Sequence, residues 1–119
     1  MTTINLFRNA PDLQHYSAGQ IIFQIGDEGK IMFAIVEGEV EIRLNGKPIE
    51  VCGAGGIVGE MALIDSQPRS ATAVAKTDCK LAIVDEKRFL FLVQQTPMFA
   101  IQVMRIMTER LRHMNQQSV

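Results

Sequence analysis

The first two thirds of the chain alternate short apolar runs with glycine-containing turns. Val40, Ile42 and Leu44 alternate with charged neighbours, which predicts a strand with one buried face. Asn45-Gly46 follows and suits a tight hairpin, because both turn positions can need a positive φ. Other strand-length runs between turns are QIIFQIG, IMFAIVEG, SATAVA and KLAIV. This pattern predicts a small antiparallel barrel or jelly roll.

The segment from Asp85 onward contains no glycine and is rich in Met, Leu, Phe, Gln and Arg, which favours helices. Asp85 can cap a helix that ends at about Gln95. Thr96-Pro97 is a good N-cap and first-turn pair for a second helix that ends at about Met114. A further short helix is expected near the N-terminus, around Leu6 to Leu13.

The last predicted helix carries two apolar stripes. The first stripe contains Ala100, Met104, Met107, Leu111 and Met114, and the adjacent one contains Phe99, Val103 and Ile106. In one arrangement a stripe packs on the barrel and part of the other remains for a partner, such as a second copy of the chain. In the alternative arrangement both stripes merge into one wide surface that faces the core.

The charge balance argues against a strong basic surface. The 119 residues include twelve Lys and Arg against thirteen Asp and Glu, so the formal charge is −1. A free-standing nucleic-acid binder normally carries a basic patch, and no direct binding of nucleic acid is therefore expected. Cys52 and Cys79 lie far apart without a CxxC spacing, which indicates neither a disulfide framework nor a metal site. A reducing cytoplasm is the expected location.

Targeting and membrane signals are absent from the sequence pattern. The N-terminal stretch MTTINLFRNAPDL has no basic region followed by an apolar run, and no segment approaches the length needed to span a bilayer. The chain is therefore expected to be soluble and not to contact a membrane.

The stretch GEMALIDSQPRSATA, residues 59–73, places the acid Glu60 and the base Arg69 on either side of mostly small and apolar residues. Gly55, Gly56 and Gly59 let the backbone approach a bound group closely, and a short helical turn after Gly59 offers free backbone N–H groups. Such donors form an anion site, to which Arg69 can add a two-pronged contact with phosphate oxygens. Glu60 has the wrong sign for a phosphate and suits the hydroxyls of a ribose. These residues suggest a nucleotide; the alternative is a Glu60–Arg69 ion pair that only fixes the loop.

The same stretch resembles the phosphate-binding cassette of cyclic nucleotide-binding domains, with its G-E-x-A-L and P-R-[small]-A-[ST] patterns. The resemblance extends from about Tyr16 to Arg112, through AGQIIFQIGDEGKIMFAIVEGEVEI and RFLFLVQQTPMFAIQVMRIMTERLR. It implies a mainly β fold with flanking helices: an antiparallel β-roll or jelly-roll barrel (double-stranded β-helix), two C-terminal helices and a short N-terminal helix. Residues 1–119 would form a single domain, with the barrel at about 16–84, the cassette at 55–73 and the C-terminal helices at 85–114.

The resemblance also implies roles for the cassette residues. Glu60 would accept a hydrogen bond from the ribose 2′-hydroxyl, Arg69 would pair with the cyclic phosphate, and Ser70 would add a hydroxyl contact. Val58 departs from the family, which often has an aromatic residue at this position. The implied ligand-binding set is Val58, Gly59, Glu60, Met61, Ala62, Arg69, Ser70 and Ala71. No catalytic residue, metal or cofactor is implied.

The ligand implied by the resemblance is cAMP in preference to cGMP, as in the bacterial members of the family. In that family the last helix covers the base, so binding would reposition the helix and signal to an effector that the sequence does not identify. Arg110, Arg112 or His113 would reach the base from this helix. The alternative is that these three are solvated residues near a helix C-terminus, where positive charge is favourable.

Other classes of function predict different features. A cupin-type enzyme needs clustered His with a carboxylate, whereas His15 and His113 lie near opposite ends of the chain and are expected outside the strands. A dimerisation or partner-binding module with the same fold would show no response to nucleotide. A detached sensor part of a transcription regulator is the third alternative, because many bacterial relatives continue into a helix-turn-helix after this last helix. No such motif is expected within HMNQQSV.

Overall fold

The computed structural model describes residues 2–117, with the side chain of residue 117 left aside. The bounds in chain order are β1 Gln14–Tyr16, β2 Ile21–Phe23, β3 Ile31–Glu37, β4 Val40–Leu44, β5 Lys47–Cys52, β6 Ile57–Val58, α1 Glu60–Asp65, β7 Thr72–Ala75, β8 Cys79–Asp85, α2 Glu86–Gln95 and α3 Met98–Gln117. Two antiparallel four-stranded sheets result, with strand orders β1-β8-β3-β6 and β2-β7-β4-β5. The predicted β-roll or jelly-roll class with two C-terminal helices is confirmed.

Strand β3 is buried on both faces because it lies between two apolar layers. Phe33 and Ile35 belong to the layer between the sheets, whereas Met32 and Ala34 belong to the layer beneath α3 and the N-terminal segment. Successive side chains of a strand point to opposite faces, so both layers draw on one continuous apolar run. Burial of each large side chain contributes about 1.5–3 kcal/mol. This strand joins the barrel to the helices that cover it.

The hairpin between β4 and β5 turns at Asn45 and Gly46, as predicted. Both residues have a positive φ, 54° and 76°, which is the conformation that this residue pair favours. Burial along β4 falls toward the turn, because Val40 is fully buried, Ile42 is partly buried and Leu44 is 39% exposed. The alternating pattern therefore gives one buried face only at the start of the strand.

The two C-terminal helices begin where their capping residues predict. The Asp85 carboxylate accepts a hydrogen bond from the Arg88 backbone N–H at 2.7 Å, which caps α2. The carbonyls of Thr96 and Pro97 accept from the next turn, and α3 runs from Met98 to Gln117. The helix thus extends slightly beyond the end predicted at about Met114.

The prediction of a short helix around Leu6 to Leu13 is wrong. This segment forms turns, with hydrogen bonds from Arg8 N–H to the Asn5 carbonyl and from Ala10 N–H to the Phe7 carbonyl. Pro11 lacks an N–H group and disfavours a helical backbone at the residue before it. The segment is instead held by apolar burial, since Ile4 and Phe7 are 4% and 3% exposed.

Helix α3 packs on the barrel mainly with one of its two stripes. Phe99, Val103 and Ile106 are buried, and the Phe99 ring contacts Phe7 and Phe89 with centroids 6.0 and 5.5 Å away. In the other stripe Ala100 and Met107 are partly buried, while three side chains are exposed by more than half: Met104, Leu111 and Met114. The merging of both stripes into one core-facing surface is therefore wrong.

Within residues 2–117, no single helix has both the length and the apolar composition needed to cross a bilayer. Helices α2 and α3 meet those requirements only when they are taken together, and they are bent by 117° relative to each other.

Candidate functional site

The cassette begins at the end of β6 and turns into the short helix α1. Gly59 is the N-cap of this helix and has φ 80°, a conformation that side chains rarely adopt. A Cβ at Gly59 would also overlap the Arg69 guanidinium. At the other end, Ser66 has φ 59° and donates its N–H to the Ala62 carbonyl at 3.0 Å. The helical turn predicted after Gly59 is confirmed.

The backbone of Arg69 is tied to the turn that follows β2. Its N–H donates to the Asp27 carbonyl at 2.8 Å, and its carbonyl accepts from the Gly26 N–H at 2.8 Å. Gly26 has φ 90°, so this turn depends on a residue without a side chain. These two bonds fix the position from which the Arg69 side chain points into the protein.

The Arg69 guanidinium lies against backbone carbonyls of two other elements, and the residue is only 4% exposed. Nη1 donates to the Gly59 carbonyl at 2.9 Å, and Nη2 donates to the Ile31 carbonyl at 2.7 Å. The guanidinium carbon also lies 4.2 Å from the centroid of the Phe23 ring, a cation–π geometry. The side chain is therefore well oriented, which reduces the entropy lost when it binds a further group.

One nitrogen of Arg69 has no hydrogen-bond partner. Nε is the only buried side-chain nitrogen or oxygen without one among residues 2–117. Burial lowers the pKa of the guanidinium, while Asp27 and Glu60 raise it by a smaller amount. An arginine remains charged even so, because its usual pKa is above 12. A buried cation with an unused donor is costly to the fold unless an anion supplies the partner.

The Glu60 carboxylate is buried, with the residue 2% exposed. Its partner is Arg110 of α3, whose Nη1 donates to Glu60 Oε1. Within the described residues no ion pair joins Glu60 to Arg69, so the simple loop-fixing pair considered from the sequence is wrong. Glu60 and Arg69 instead contact different groups.

Arg110 bridges α3 to three elements of the barrel and cassette. Nε contacts Glu50 Oε2 at 2.8 Å, and Nη2 donates to the Ile57 carbonyl at 2.7 Å and to Cys52 Sγ at 3.2 Å. Burial lowers the pKa of Arg110, but Glu60, Cys52 and Glu50 outweigh that effect and raise the pKa overall. Its charge is thus shared by two carboxylates from separate parts of the chain.

The solvated position that the sequence allowed for Arg110 is wrong, whereas Arg112 is exposed. Sequence reasoning missed the link between Arg110 and Glu60, since a single arginine on a helix gives no signal of a partner 50 residues away. The available clue was the phase of the helix. Arg110 lies four residues after Ile106 and seven after Val103, on the side of α3 that packs against the protein.

The remaining expected site residues divide between interior and surface. Val58 and Ala62 are buried, Ala71 is partly buried, and Met61 and Ser70 are exposed. Space around Arg69 depends on small residues, because a Cβ at Gly29 would overlap the Ala62 Cβ and contact the Arg69 side chain. The small residues Gly29 and Ala62 therefore leave room for the guanidinium.

A cleft of about 520 Å³ lies beside the cassette. It is lined by residues of α1, the loop before β3 and the start of α2, with acidic and basic side chains mixed: Glu28, Lys30, Asp85, Glu86 and Lys87. Glu60 and Arg69 do not line this cleft, although Ala62 beside them does. The cleft and the cassette charges are separate features.

The histidines lie in different elements. His15 is in β1 and His113 is in α3, so the expectation that both lie outside the strands is wrong for His15. The prediction failed because β1 is a short edge strand, recognisable only by its pairing with Cys79–Leu81 of β8. No group of three or more His, Cys, Asp or Glu side chains suited to a metal ion occurs in residues 2–117.

Comparison with known proteins identifies relatives by sequence and by structure. A cyclic nucleotide-gated potassium channel of Rhizobium etli is 40% identical over 93 residues, which are 78% of this chain and 26% of the channel. The catabolite activator protein of Thermus thermophilus superposes with a TM-score of 0.76 at 30% identity, over 88% of this chain and 53% of that one.

The EAL enzyme Bd1971 has been solved in a cAMP-bound form, which superposes with a TM-score of 0.64 at 37% identity over 90% of this chain and 30% of that one. Its cGMP-bound form gives a TM-score of 0.65 at 36% identity, over 89% of this chain and 30% of that one. This chain therefore spans only a part of each of these relatives.

A family model agrees with these likenesses. The model described as the cyclic nucleotide-binding domain matches residues 13–96, from just before β1 to the end of α2. This range contains both sheets and the entire cassette. The chain belongs to the cyclic nucleotide-binding domain family.

Proposed function

We propose that the chain binds a cyclic nucleotide, preferentially cAMP, with the cyclic phosphate on Arg69 and the ribose on Glu60. The observation that carries this assignment is the buried Nε of Arg69, an N–H donor without a partner on a guanidinium that is otherwise held by carbonyls. A phosphate oxygen accepts such a charge-assisted hydrogen bond well. The proposal concerns binding and signalling and includes no catalysis by this chain.

The other cassette residues fit the same ligand. A carboxylate has two oxygens, and Arg110 contacts only Oε1 of Glu60, so lone pairs remain for a ribose hydroxyl. The backbone of Gly59, Met61 and Ala62 would contribute N–H groups near the phosphate, and Ser70 would add its hydroxyl. Val58 and Ala71 complete the proposed contact set by bordering these groups.

The preference for cAMP over cGMP rests on the resemblance to bacterial members of the family. The EAL enzyme Bd1971 has been solved in a cAMP-bound and in a cGMP-bound form, so that similar protein binds both nucleotides. Discrimination depends on groups over the purine, which the cassette does not provide. Both nucleotides therefore have to be compared in a binding experiment.

We further propose that α3 relays occupancy of the site. Glu60 is buried beneath contacts with α3, since Arg110 of that helix holds its carboxylate. A ligand that contacts Glu60 therefore changes the surroundings of Arg110. It shifts the equilibrium between two positions of α3 by as much as its affinity differs between them. The exposed Met104, Leu111 and Met114 would then form a contact with a second copy of the chain. The downstream effector and the expected cytoplasmic location remain predictions.

A thermal-shift titration tests the binding proposal. Ligand at about a hundred times its dissociation constant stabilises a fold by about 2.7 kcal/mol, and a domain of this size gains several degrees for each kcal/mol. We expect cAMP to raise the melting temperature, cGMP to do so at higher concentration, and 5′-AMP to have little effect because its phosphate is not cyclic. If millimolar cAMP and cGMP both leave the melting temperature unchanged, the sensor proposal fails and a ligand-independent dimerisation module replaces it.

Hydrogen–deuterium exchange tests the relay. Saturating cAMP should change exchange between Met98 and Met114, because the ligand alters the contacts of α3. Unchanged exchange in this segment, together with a clear thermal shift, would refute the relay and leave the binding proposal intact.

A further inference from the structure

The side chain of Phe23 points inward because strand β2 is irregular at this point. Ile21 pairs with Val74 of β7. Two residues later Phe23 pairs with Ala73, only one position along β7, so the register shifts between the two pairs. Residues two apart in a regular strand face the same side, yet Ile21 is 48% exposed whereas Phe23 packs in the layer between the sheets. A bulge of this kind re-aims a side chain, and here it directs an aromatic ring into the interior.

The Phe23 ring contacts both a second aromatic ring and the Arg69 guanidinium. Its centroid lies 6.0 Å from that of Phe33, and the two ring planes are inclined by 23°. Phe33 is only 3% exposed, so this neighbour is itself fixed by the surrounding core. The guanidinium carbon of Arg69 lies over the Phe23 ring, 4.2 Å from its centroid. Because a ring attracts a cation over its face more strongly where water is excluded, this contact restrains the buried arginine.

Two carbonyls and the ring restrain the Arg69 guanidinium in different directions. Nη1 donates to the Gly59 carbonyl and Nη2 to the Ile31 carbonyl. The N–H groups of a guanidinium lie in its plane, so these two bonds restrain the group within that plane. A ring against the face of the group opposes the remaining motion, which is a tilt of the plane. The direction of Nε–H depends on that tilt, and Nε is the buried donor without a partner.

We infer that Phe23 is a positioning residue for phosphate recognition: its ring holds the guanidinium plane of Arg69 so that Nε–H faces a phosphate oxygen of the bound nucleotide. This inference rests on the proposed function. The phosphate contacts Arg69 and not the ring, so Phe23 acts through the arginine. Leucine at this position keeps an apolar side chain but presents no ring face to a cation. The guanidinium then tilts, and its hydrogen bond to the phosphate weakens.

The test compares cAMP with adenosine by NMR titration of the full chain. The two ligands share base and ribose, and only cAMP carries the phosphate assigned to Arg69. In the unaltered protein we expect cAMP to bind at least about tenfold more tightly, because adenosine makes no charge-assisted hydrogen bond to the arginine. In Phe23→Leu the affinity for cAMP should fall about fivefold, while that for adenosine should change by less than about twofold. The preference for the phosphate-bearing ligand is thereby reduced.

Three further variants complete the test. Phe23→Tyr keeps a ring over the guanidinium and should retain most of the affinity for cAMP. Tyr16→Leu is the matched control: its ring packs edge-on against Phe33 at 6.3 Å, and no cation–π contact joins it to Arg69 within residues 2–117. This control should leave the preference for cAMP unchanged. Phe23→Leu combined with Arg69→Ala should bind cAMP as Arg69→Ala alone does, because the arginine through which the ring acts is then absent.

The outcomes separate the inference from the proposed function. Unchanged cAMP affinity in Phe23→Leu overturns the inference, and so does equal weakening of both ligands, which assigns Phe23 a purely structural role. The inference also fails if Phe23→Tyr binds cAMP as weakly as Phe23→Leu, or if Phe23→Leu weakens cAMP further when Arg69 is already absent. If the unaltered chain binds neither ligand, the proposed function itself fails, and the role of Phe23 in phosphate recognition fails with it.

The Nε–H resonance of Arg69 gives a ligand-free check of the orientation. This group is buried, so its proton should exchange slowly with water in the unaltered chain. In Phe23→Leu the resonance should move, because the ring current of Phe23 is lost, and its exchange with water should become faster. Tyr16→Leu should change neither. An unmoved resonance in Phe23→Leu would contradict the contact between ring and guanidinium on which the inference depends.

Discussion

Arg110 and Glu60 form an ion pair across 50 positions of the chain, and this pair joins the last helix to the cassette. The Glu60 side chain is 3% exposed and that of Arg110 is 18% exposed. Breaking a buried pair at one partner costs about 3–5 kcal/mol, because the remaining charge has no compensation. Loss of either partner should therefore lower the stability of the fold.

A double-mutant cycle measures this link. Glu60→Gln and Arg110→Gln should each lower the free energy of unfolding by about 3 kcal/mol, and the double variant should lower it by clearly less than the sum. Urea unfolding of the four proteins gives the coupling energy, expected at about 1–3 kcal/mol. The exposed pair Lys80–Glu37 is the control and should couple by less than about 1 kcal/mol. Additive effects at Glu60 and Arg110 would contradict the ion pair.

Substitution of Arg69 should affect binding and folding together. Arg69→Ala removes the proposed phosphate contact, so affinity for cAMP should fall by about 1.5–3 kcal/mol, or about 10- to 150-fold. The carbonyls of Gly59 and Ile31 also lose their donor, which should lower the free energy of unfolding by about 1–3 kcal/mol. Calorimetry and urea unfolding measure the two effects. Arg43→Ala, on an exposed strand position, should change neither, and unaltered cAMP affinity in Arg69→Ala would refute the phosphate assignment.

The packing of α3 predicts unequal effects for two phenylalanines. Phe99 is fully buried against Phe7 and Phe89, whereas Phe91 on α2 is 58% exposed. Phe99→Ala should therefore lower the free energy of unfolding by about 3–5 kcal/mol, and Phe91→Ala by no more than about 0.5 kcal/mol. Urea unfolding distinguishes the two variants. Similar losses in both would show that α3 does not pack on the barrel as described.

The Cys52 thiol predicts a loss of stability in alkaline solution. Burial raises its pKa to about 12, and Arg110 lowers it by a smaller amount. An unfolded thiol ionises near its ordinary pKa of 9.0, so the folded protein retains a proton that the unfolded chain has lost. The contribution is thus present below about pH 9 and is lost as the pH rises toward 12. Between pH 7 and pH 10 unfolding should become easier by about 1 kcal/mol.

Comparison with Cys52→Ala isolates this contribution, because Cys79 remains in both proteins. Urea unfolding at pH 7 and pH 10, with the thiols kept reduced, should give a smaller difference for the variant. Identical pH dependence in the two proteins would contradict the raised pKa of Cys52.

The exposed stripe of α3 predicts self-association. Leu111 is 58% exposed and lies on the same helix face as Met104 and Met114. We expect a dimer through this stripe, because burial of each of these side chains contributes about 1.5–3 kcal/mol. Sedimentation equilibrium should give twice the mass of one chain for the unaltered protein and one chain for Leu111→Glu, with Arg105→Gln as a control outside the stripe. A monomeric unaltered protein at high concentration would exclude the interface.

Local chemistry predicted those elements whose determinants lie close together in sequence. The Asn45-Gly46 hairpin depends on two adjacent residues, and the start of α2 depends on Asp85 and the backbone N–H three residues later. The turn after Gly59 was predictable for the same reason. In these cases the residues that determine the local structure are neighbours in the sequence, so they can be recognised there.

Contacts between distant segments were not predictable from the pattern. The partner of Glu60 is decided by how α3 crosses the barrel, and the strand at His15 is decided by its pairing with β8. Apolar residues around Leu6 to Leu13 indicated a helix, but Pro11 and the burial of Ile4 and Phe7 favour a tethered turn. The sequence therefore indicated Glu60 and Arg69 as site residues but did not indicate which groups they contact.

The room for Arg69 depends on two positions that have no side chain. Gly29 and Gly59 border the guanidinium so closely that a single methyl group at either position would overlap the cassette. A glycine codon becomes an alanine codon through one base change, so one mutation is enough to displace Arg69 while both charged residues stay in place. A related sequence that keeps the acid and the base is consequently no evidence of a working site unless both glycines are kept as well.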